Sequence, residues 1–352
     1  MLSSTIYVSI ASLYDPELIP TIHDAFSKAK NPARLFLGVS IIDSNPKLYK
    51  EVLKETKKYG DNISIIFTKL KSKKEHEVLG VGRGRKLAHS MYADQDYFLQ
   101  IDSHTMFLQN WDEVLISLHK ESVIYFTKNP KTILTGYAGM YFVDEKQSRH
   151  LDPIANGDMP AGFLYPVFTR LEKNGPVPMW SMTALDKVSD TEERFIPCTK
   201  FNANFAFGNR YFAKYPGIPE SAVFFEEEIF QSVSLLSMGF SLAFPNVGDA
   251  LVKHLYVGQT MTDKGPVLNF GGRKAANDYL TDEQRSMQHK RVYDNYEEFL
   301  SDESLQKYIS AYEKYTNVSM RNGRVSVETK LPTAWTIDEE PVAIERVAGD
   351  CD

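Results

Sequence analysis

The sequence predicts an α/β fold: a mainly parallel central sheet flanked by helices, with a small second sheet and C-terminal helices. Three observations carry this. Residues 5–127 alternate short apolar, β-branched runs with amphipathic charged segments, the pattern of βαβ units with right-handed crossovers. Residues 129–200 lose that alternation and are rich in Gly, Pro and aromatic side chains. Helical patterning then returns in two segments between residues 281 and 315.

"TIYVSIA" (5–11) reads as a buried strand, and Pro16 stands where a helix can begin, running to about Lys30. "RLFLGVSII" (34–42) is the second strand, followed by a helix near 46–59, and "NISIIFT" (62–68) is the third strand. The basic run "KLKSKKEHE" (69–77) makes a solvated loop, and "GRGRKLAHSMYA" (82–93) turns helical. "DYFLQID" (96–102) is the fourth strand, "WDEVLISLHK" (111–120) a helix and "SVIYFT" (122–127) a fifth strand. Short strands such as "AGMYFV" (138–143) suggest a second sheet or long loops laid over the first, where ligand contacts tend to reside. "FNANFAFG" (201–208), the acidic helix start "EEEIFQSVSLLSMG" (226–239) and the strands "FSLAFP" and "ALVKHLY" restore order. "TDEQRSMQHKRVYDNYEEFL" and "DESLQKYISAYEKY" are C-terminal helices, and "NGRVSVETK" is a hairpin or tail strand. The expected division is a catalytic domain over 1–260, with an acceptor-side insertion at 129–200, and a helical extension and tail over 261–352.

With 352 residues, 43% apolar and 24% charged, the chain has the composition of an ordinary globular protein large enough for a sizeable core. Its net charge of −6 argues against bulk attraction to nucleic acid, though not against a local basic patch. Two cysteines, Cys198 and Cys351, make no disulfide framework. The N-terminus lacks the basic leader of a signal peptide, and no run approaches the ~18 apolar residues of a membrane span. The expected compartment is the cytoplasm.

The chemistry concentrates in "FLQIDSHTMF" (98–107). In extended chain, positions i and i+2 share a side, so Asp102 and His104 can aim at one point at the carboxyl end of a strand. One carboxylate and one imidazole suit a Mn²⁺-like divalent ion. In the other reading Asp102 caps the next turn and His104 packs under Trp111. His254, after the apolar run "DALVKHLY", is a candidate third ligand or a structural histidine. Glu226, Glu227 and Glu228 open a helix, where the dipole favours acids. Three in a row exceed what capping requires, so Glu227 or Glu228 is expected to face the reacting groups. There it would act as a general base, or orient them if no base is needed. Asn202 and Asn204, two apart on an expected strand, offer hydrogen bonds to sugar hydroxyls or simple turn chemistry.

Several blocks resemble one known family. "VSIASLYDPEL", "GRKLAHSMYADQDYFLQIDSHTMFLQNWDEVLI", "FNANFAFG" and "FFEEEIFQSVSLLSMGFSLAFPN", ending at His254, are similar to GT-A glycosyltransferases related to the cytoplasmic polypeptide N-acetylglucosaminyltransferases that act on hydroxyproline. The likeness spans roughly 6–125 and 200–256 in the family's order, and it includes the Asp-x-His motif. Where the family pattern has Gly before the paired acids, this chain has Glu226.

The resemblance implies the GT-A fold and a Mn²⁺ (or Mg²⁺) held by Asp102, His104 and His254. It also implies a UDP-sugar donor and transfer with retention. Implied donor contacts are Ser9, Ala11, Ser12, Tyr14 and Asp15 around the uridine, with Tyr14 stacking and Asp15 accepting a hydrogen bond. Arg85 would pair with the diphosphate through its planar fork, and Ser103, Asn202 and Asn204 complete the set. Arg83 reads as a surface residue. The expected acceptor is a protein hydroxyl, or a hydroxymethylated DNA base if the chain is a bacteriophage DNA-modifying member. The basic loop at 69–86 would then meet phosphates. A metal-dependent phosphoesterase using the same ligands is the alternative from another class. It would need more carboxylates near the first cluster.

Overall fold

The computed structural model describes residues 4–13, 15–70, 80–136, 138–144, 148–151, 170–173, 178–181, 193–215, 220–223, 226–247, 252–255, 259–262, 265–268, 282–316 and 319–321. Residues 71–79, which hold most of the basic run at 69–77, lie outside them, with Tyr14, the 322–330 segment, Cys351 and much of 152–192.

The first half follows the βαβ pattern. Strands β1 (Ile6–Leu13), β2 (Leu35–Asp43), β3 (Ile63–Lys69) and β4 (Tyr97–Asp102) lie side by side in the order β3-β2-β1-β4, all parallel. Helices α1 (Leu18–Ser27), α2 (Lys47–Thr56) and α3 (Val81–His89) connect them. Ile6, Val8 and Ile10 of β1 and Leu37, Val39 and Ile41 of β2 are fully or almost fully buried, as expected of central strands covered on both faces. Helix α3 lies close to the sheet because the Tyr7 hydroxyl bonds Ala88 O across it. A Cβ at Gly38 would fall 1.6 Å from that hydroxyl, so only glycine fits there.

The chain then departs from its sequence reading. Strand β5 (Thr105–Phe107) leads into α4 (Trp111–Tyr125), which absorbs the expected strand at 122–127. Trp111, Leu115, Leu118 and Ser122 lie at helical spacing and are buried, while Ile124 is 69% exposed. The β-branched run therefore rides on the solvent side of a helix already committed by its other face. The helix stops at Thr127 and Lys128, both at positive φ, and the next strand is β6 (Thr132–Thr135).

Strands β7 (Gly139–Val143) and β8 (Arg149–Leu151) follow, then a hairpin of β9 (Arg170–Lys173) and β10 (Pro178–Ser181). β11 (Phe195–Cys198), β12 (Phe205–Asn209), the short helix α5 (Arg210–Ala213), α6 (Glu226–Ser237) and β13 (Ser241–Pro245) return to the main sheet. Its full order is β11-β13-β6-β12-β4-β1-β2-β3, in which only β11 and β12 run against the rest. β14 (Val252–His254) is followed by a second hairpin, β15 (Gln259–Thr262) and β16 (Gly265–Leu268).

The small second sheet has the order β5-β14-β7-β8. Its β5–β14 pairing sets His254 opposite Thr105, next to His104. Arg149 clamps this sheet onto α1, donating to Glu17 Oε2 at 2.8 Å and Thr21 Oγ1 at 3.0 Å while lying 5.1 Å over the Tyr141 ring. Tyr141 Oη donates to the same Glu17 oxygen at 2.9 Å.

Helices α7 (Asp282–Ser301) and α8 (Gln306–Thr316) pack on α6. Phe299 stacks on Phe230 at 4.4 Å, and Tyr312 Oη donates to Thr199 O at 2.9 Å. Tyr296, Leu300 and Ile309 are buried in the same core as β1 and β2. This is the α/β architecture that the sequence predicts. Among the described residues no helix is long and apolar enough to cross a membrane.

Candidate functional site

Asp102 is the last residue of β4, beside Ala11 of β1. The strand breaks there, and Ser103 and His104 form a bend before β5. The two side chains therefore do not converge through the pleat of one extended strand, as the sequence suggested. Partners from elsewhere bring them together. His254 Nε2 sits 2.9 Å from Asp102 Oδ2, and His104 Nε2 sits 3.9 Å from the same oxygen. One ligand atom from each of Asp102, His104 and His254 lies within 4.8 Å of the others.

Asp15 turns His104 toward this point. Its Oδ2 meets His104 Nδ1 at 2.6 Å and accepts from Ser103 Oγ at 2.5 Å, while Oδ1 accepts from Glu17 N at 2.9 Å. The carboxylate is buried and engaged on both oxygens, so it does not face a uridine as expected. Burial alone would raise its pKa, but His104 and the surrounding donors hold it below the ordinary value. Burial would likewise lower His104, and Asp15 more than offsets it. An Nδ1–H given to a carboxylate leaves Nε2 as the metal-facing nitrogen, the usual carboxylate–histidine arrangement. Two imidazoles and one carboxylate, close together and partly open, form a donor set that fits Mn²⁺.

Arg85 also differs from its expected role. It is 4% exposed and spends its guanidinium internally. Nη1 donates to Ile101 O at 2.6 Å, and Nη2 donates to Asp102 Oδ1 at 2.5 Å and Ala203 O at 3.1 Å. Glu227 Oε1 lies 3.6 Å from Nη2. The arginine is thus the counter-ion beneath Asp102, with no free fork to offer a diphosphate. Burial would raise the pKa of Asp102; Arg85 and the two histidines hold it far below the ordinary carboxylate value.

The three glutamates that open α6 point to three partners. Glu226 Oε1 accepts from Val223 N and from Asn295 Nδ2 of α7, so this acid caps its helix and ties down the C-terminal helices. Glu228 accepts from Ala203 N at 3.0 Å and pairs with Lys200, itself buried, at 2.7 Å. Glu227 is 4% exposed, and its Oε2 has no hydrogen-bond partner among the described residues. Burial pushes Glu227 up to about 8. Asp102, closer to Arg85, already balances that charge, so Glu227 is neutral at pH 7.

Asn202 and Asn204 are not on a strand but in the turn before β12. Asn202 Oδ1 accepts from Asn204 N at 3.0 Å, the turn chemistry left open by the sequence, while Asn202 Nδ2 has no partner among the described residues. Arg85, Gln100 and Glu228 all bond Ala203 of this turn. Ser9 and Ser12 are buried near the end of β1, and Ser12 Oγ has no partner among the described residues. Trp111 bonds Ala25 O and packs on Phe107. Lys200, Glu17 and Arg149 carry the surrounding network but gave no sequence signal of their own.

The profile of the Glycosyltransferase (GlcNAc) family matches residues 5–78 and 49–265, together more than half of the chain. The chain belongs to this family and is a glycosyltransferase. No curated protein matches it. Among solved structures it is similar to the crystal structure of GalNAc-T7 with UDP, GalNAc and Mn²⁺, at 15% identity and a TM-score of 0.48. That likeness covers 88% of this chain and 55% of the other, so this chain spans about half the length of that one.

Proposed function

We propose that this glycosyltransferase moves a sugar from a UDP-sugar to an acceptor hydroxyl with retention, using Mn²⁺ or Mg²⁺ held by Asp102, His104 and His254. The observation that carries the reading is the convergence of these three side chains, two from the β4–β5 bend and one from β14, within 4.8 Å. When bound, the cation supplies Lewis-acid stabilisation for the charge that develops on a departing diphosphate.

The remaining residues bind and orient. Asp15 holds His104, and Arg85 holds Asp102 as a carboxylate. Ser9, Ala11 and Ser12 form a small-residue edge against which the nucleotide lies. Tyr14, Ser103 and Asn204 remain donor-side candidates. Asn202 and the neutral Glu227 carboxyl are the candidate hydrogen-bond donors on the sugar and acceptor side. Glu228, fixed by Lys200, positions the 202–204 turn. In this reading the bond from the sugar C1 to the diphosphate oxygen breaks, the acceptor oxygen bonds C1 on the same face, and the acceptor proton leaves with the diphosphate. No protein base is required, which suits a Glu227 that is protonated at neutral pH.

The acceptor is a protein hydroxyl of the hydroxyproline kind or the hydroxymethyl group of a modified DNA base. The test is a panel of UDP-sugars with Mn²⁺, offered to a hydroxyproline peptide and to hydroxymethylcytosine DNA, with products weighed by mass spectrometry. Transfer from one donor to one acceptor is expected. No sugar transfer and no donor hydrolysis across the panel would refute the reading, and so would release of UMP with sugar phosphate.

A further inference from the structure

The seam between helix α1 and the small second sheet runs through the metal triad. Asp15, which orients His104, belongs to the turn that leads into α1, and its Oδ1 accepts from Glu17 N. His254 belongs to the second sheet, set in β14 between Thr105 of β5 and Met140 of β7. His104 is tied to both sides: its ring meets Asp15, and its carbonyl accepts from Leu255 N at 3.2 Å. The direction of the His104 ring relative to His254 therefore depends on how this seam is closed.

Arg149 closes it. It stands on β8, the edge strand of the second sheet, and its guanidinium reaches across to α1. Nε donates to Glu17 Oε2 at 2.8 Å, and Nη2 donates to Glu17 O at 3.2 Å and Thr21 Oγ1 at 3.0 Å. Nη1 donates to Thr105 O at 3.4 Å, one residue from His104. One planar fork thus grips the first turn of α1 and the start of β5, a geometry that an ammonium does not reproduce. Glu17 is 3% exposed, and its Oε2 accepts from Arg149 and Tyr141 together. Without the guanidinium, a buried carboxylate two residues from Asp15 loses its cation. Water reaches it only if the seam opens, and the turn that moves carries Asp15 with it.

We propose that Arg149 is a positioning residue of the metal site. It holds the second sheet on α1 in the arrangement that points His104 and His254 at one cation, acting through Glu17 and Thr105. The inference rests on the metal reading above.

The test is titration of the full chain with Mn²⁺ alone, by calorimetry and by paramagnetic resonance of the bound ion, on the parent, Arg149→Met, Arg149→Lys and Arg34→Met. Arg34 is the control for stability. It pairs with buried Asp112 at 2.8 Å, its side chain is 10% exposed against 12% for Arg149, and the other partners of Asp112 are the backbone of Lys30 and Asn31. Both methionine variants should lower the urea midpoint. Arg149→Met should bind Mn²⁺ about tenfold more weakly, the low end for groups that orient metal ligands, with a broadened or shifted resonance spectrum. Arg34→Met should stay within about twofold of the parent, as expected of independent sites. Arg149→Lys keeps the cation beside Glu17 but not the fork, so its affinity should fall between parent and Arg149→Met.

Parental affinity and spectrum in a folded Arg149→Met overturn the inference and leave the triad standing. If that variant does not fold, parental affinity in Arg149→Lys overturns it. An equal loss in Arg34→Met overturns it too, because destabilisation alone would then explain the effect. No Mn²⁺ binding by the parent refutes the metal reading itself, and this inference with it.

Discussion

Asp102 and Glu227 share one guanidinium and end in opposite charge states. Asp102, at the end of a strand, has Arg85 at 2.5 Å and His254 at 2.9 Å, and it is held ionised. Glu227, in the first turn of a helix, has Arg85 only at 3.6 Å and one oxygen with no partner among the described residues; burial keeps it protonated to about 8. A buried arginine can neutralise one carboxylate, and the nearer one takes it. The strand-end cluster therefore keeps a charged carboxylate, the state that the proposed cation would need, whereas the helix-start cluster offers a neutral donor. A run of acids in a sequence does not by itself say which of them carries charge.

The comparison breaks most visibly if the shared cation is removed. Arg85→Met should leave Asp102 without its cation and cost about 2 kcal/mol, less than the loss of a fully buried pair because the Asp102 side chain is 26% exposed, read as a lower urea midpoint at pH 7. A change within 1 kcal/mol would mean that the arginine is not the counter-ion described here.

The next effect separates the two acids by pH. Glu227 has a folded pKa raised from 4.5 to about 8. The native state therefore binds more protons than the unfolded state between those values, and stability falls as pH rises through that window, levelling off above it. The slope is on the order of 1 kcal/mol per pH unit at its steepest. Glu227→Gln, a neutral isostere, should flatten it and leave the variant more stable than the parent at pH 9. Asp102 works with the opposite sign: its folded pKa is lowered, so its contribution is present above about pH 4 and lost in acid. Denaturation midpoints of parent and variant from pH 4.5 to 9 check the sign. Parallel curves would contradict it.

A smaller effect sharpens the strand-end side. Asp15→Asn keeps the size of the side chain but loses the carboxylate that orients His104. Mn²⁺ affinity should fall by about 10–100-fold, and the Mn²⁺ paramagnetic resonance spectrum of the bound ion should broaden or shift. Unchanged affinity would place Asp15 outside the site. The smallest effect is the control. Ile124→Lys, on the outer face of α4, should shift stability by less than ~0.5 kcal/mol, whereas a buried strand at 122–127 would not tolerate it.

Much of the fold was legible because its signals are local. β1, β2 and β3 each carry their own apolar run, and α6 announces itself with its acids. The strand expected at 122–127 failed because Val123, Ile124 and Tyr125 favour a strand in isolation, while the buried face set by Trp111, Leu115 and Leu118 carries the helix through them. At the site, Asp102, His104 and His254 were legible as residue types in a recognisable order. The roles of Asp15 and Arg85 were not. Each contacts the site through a partner 88 or 17 positions away, Ser103 for Asp15 and Asp102 for Arg85, and no spacing in the sequence reports such a pairing. Asn202 and Asn204 were ambiguous for the opposite reason: the same two residues suit a turn and a sugar equally well.

The central claim is that two distant stretches of chain, 102–104 and 254, make one metal-dependent donor site. Calorimetry of UDP with and without Mn²⁺, on the parent and on His254→Ala, tests it most directly, with circular dichroism confirming that the variant is folded. The account predicts UDP binding that requires Mn²⁺ in the parent and falls by at least about 100-fold in the variant, the loss of one of three ligands. UDP binding that is equal with and without Mn²⁺, or undiminished in a folded His254→Ala, would contradict it.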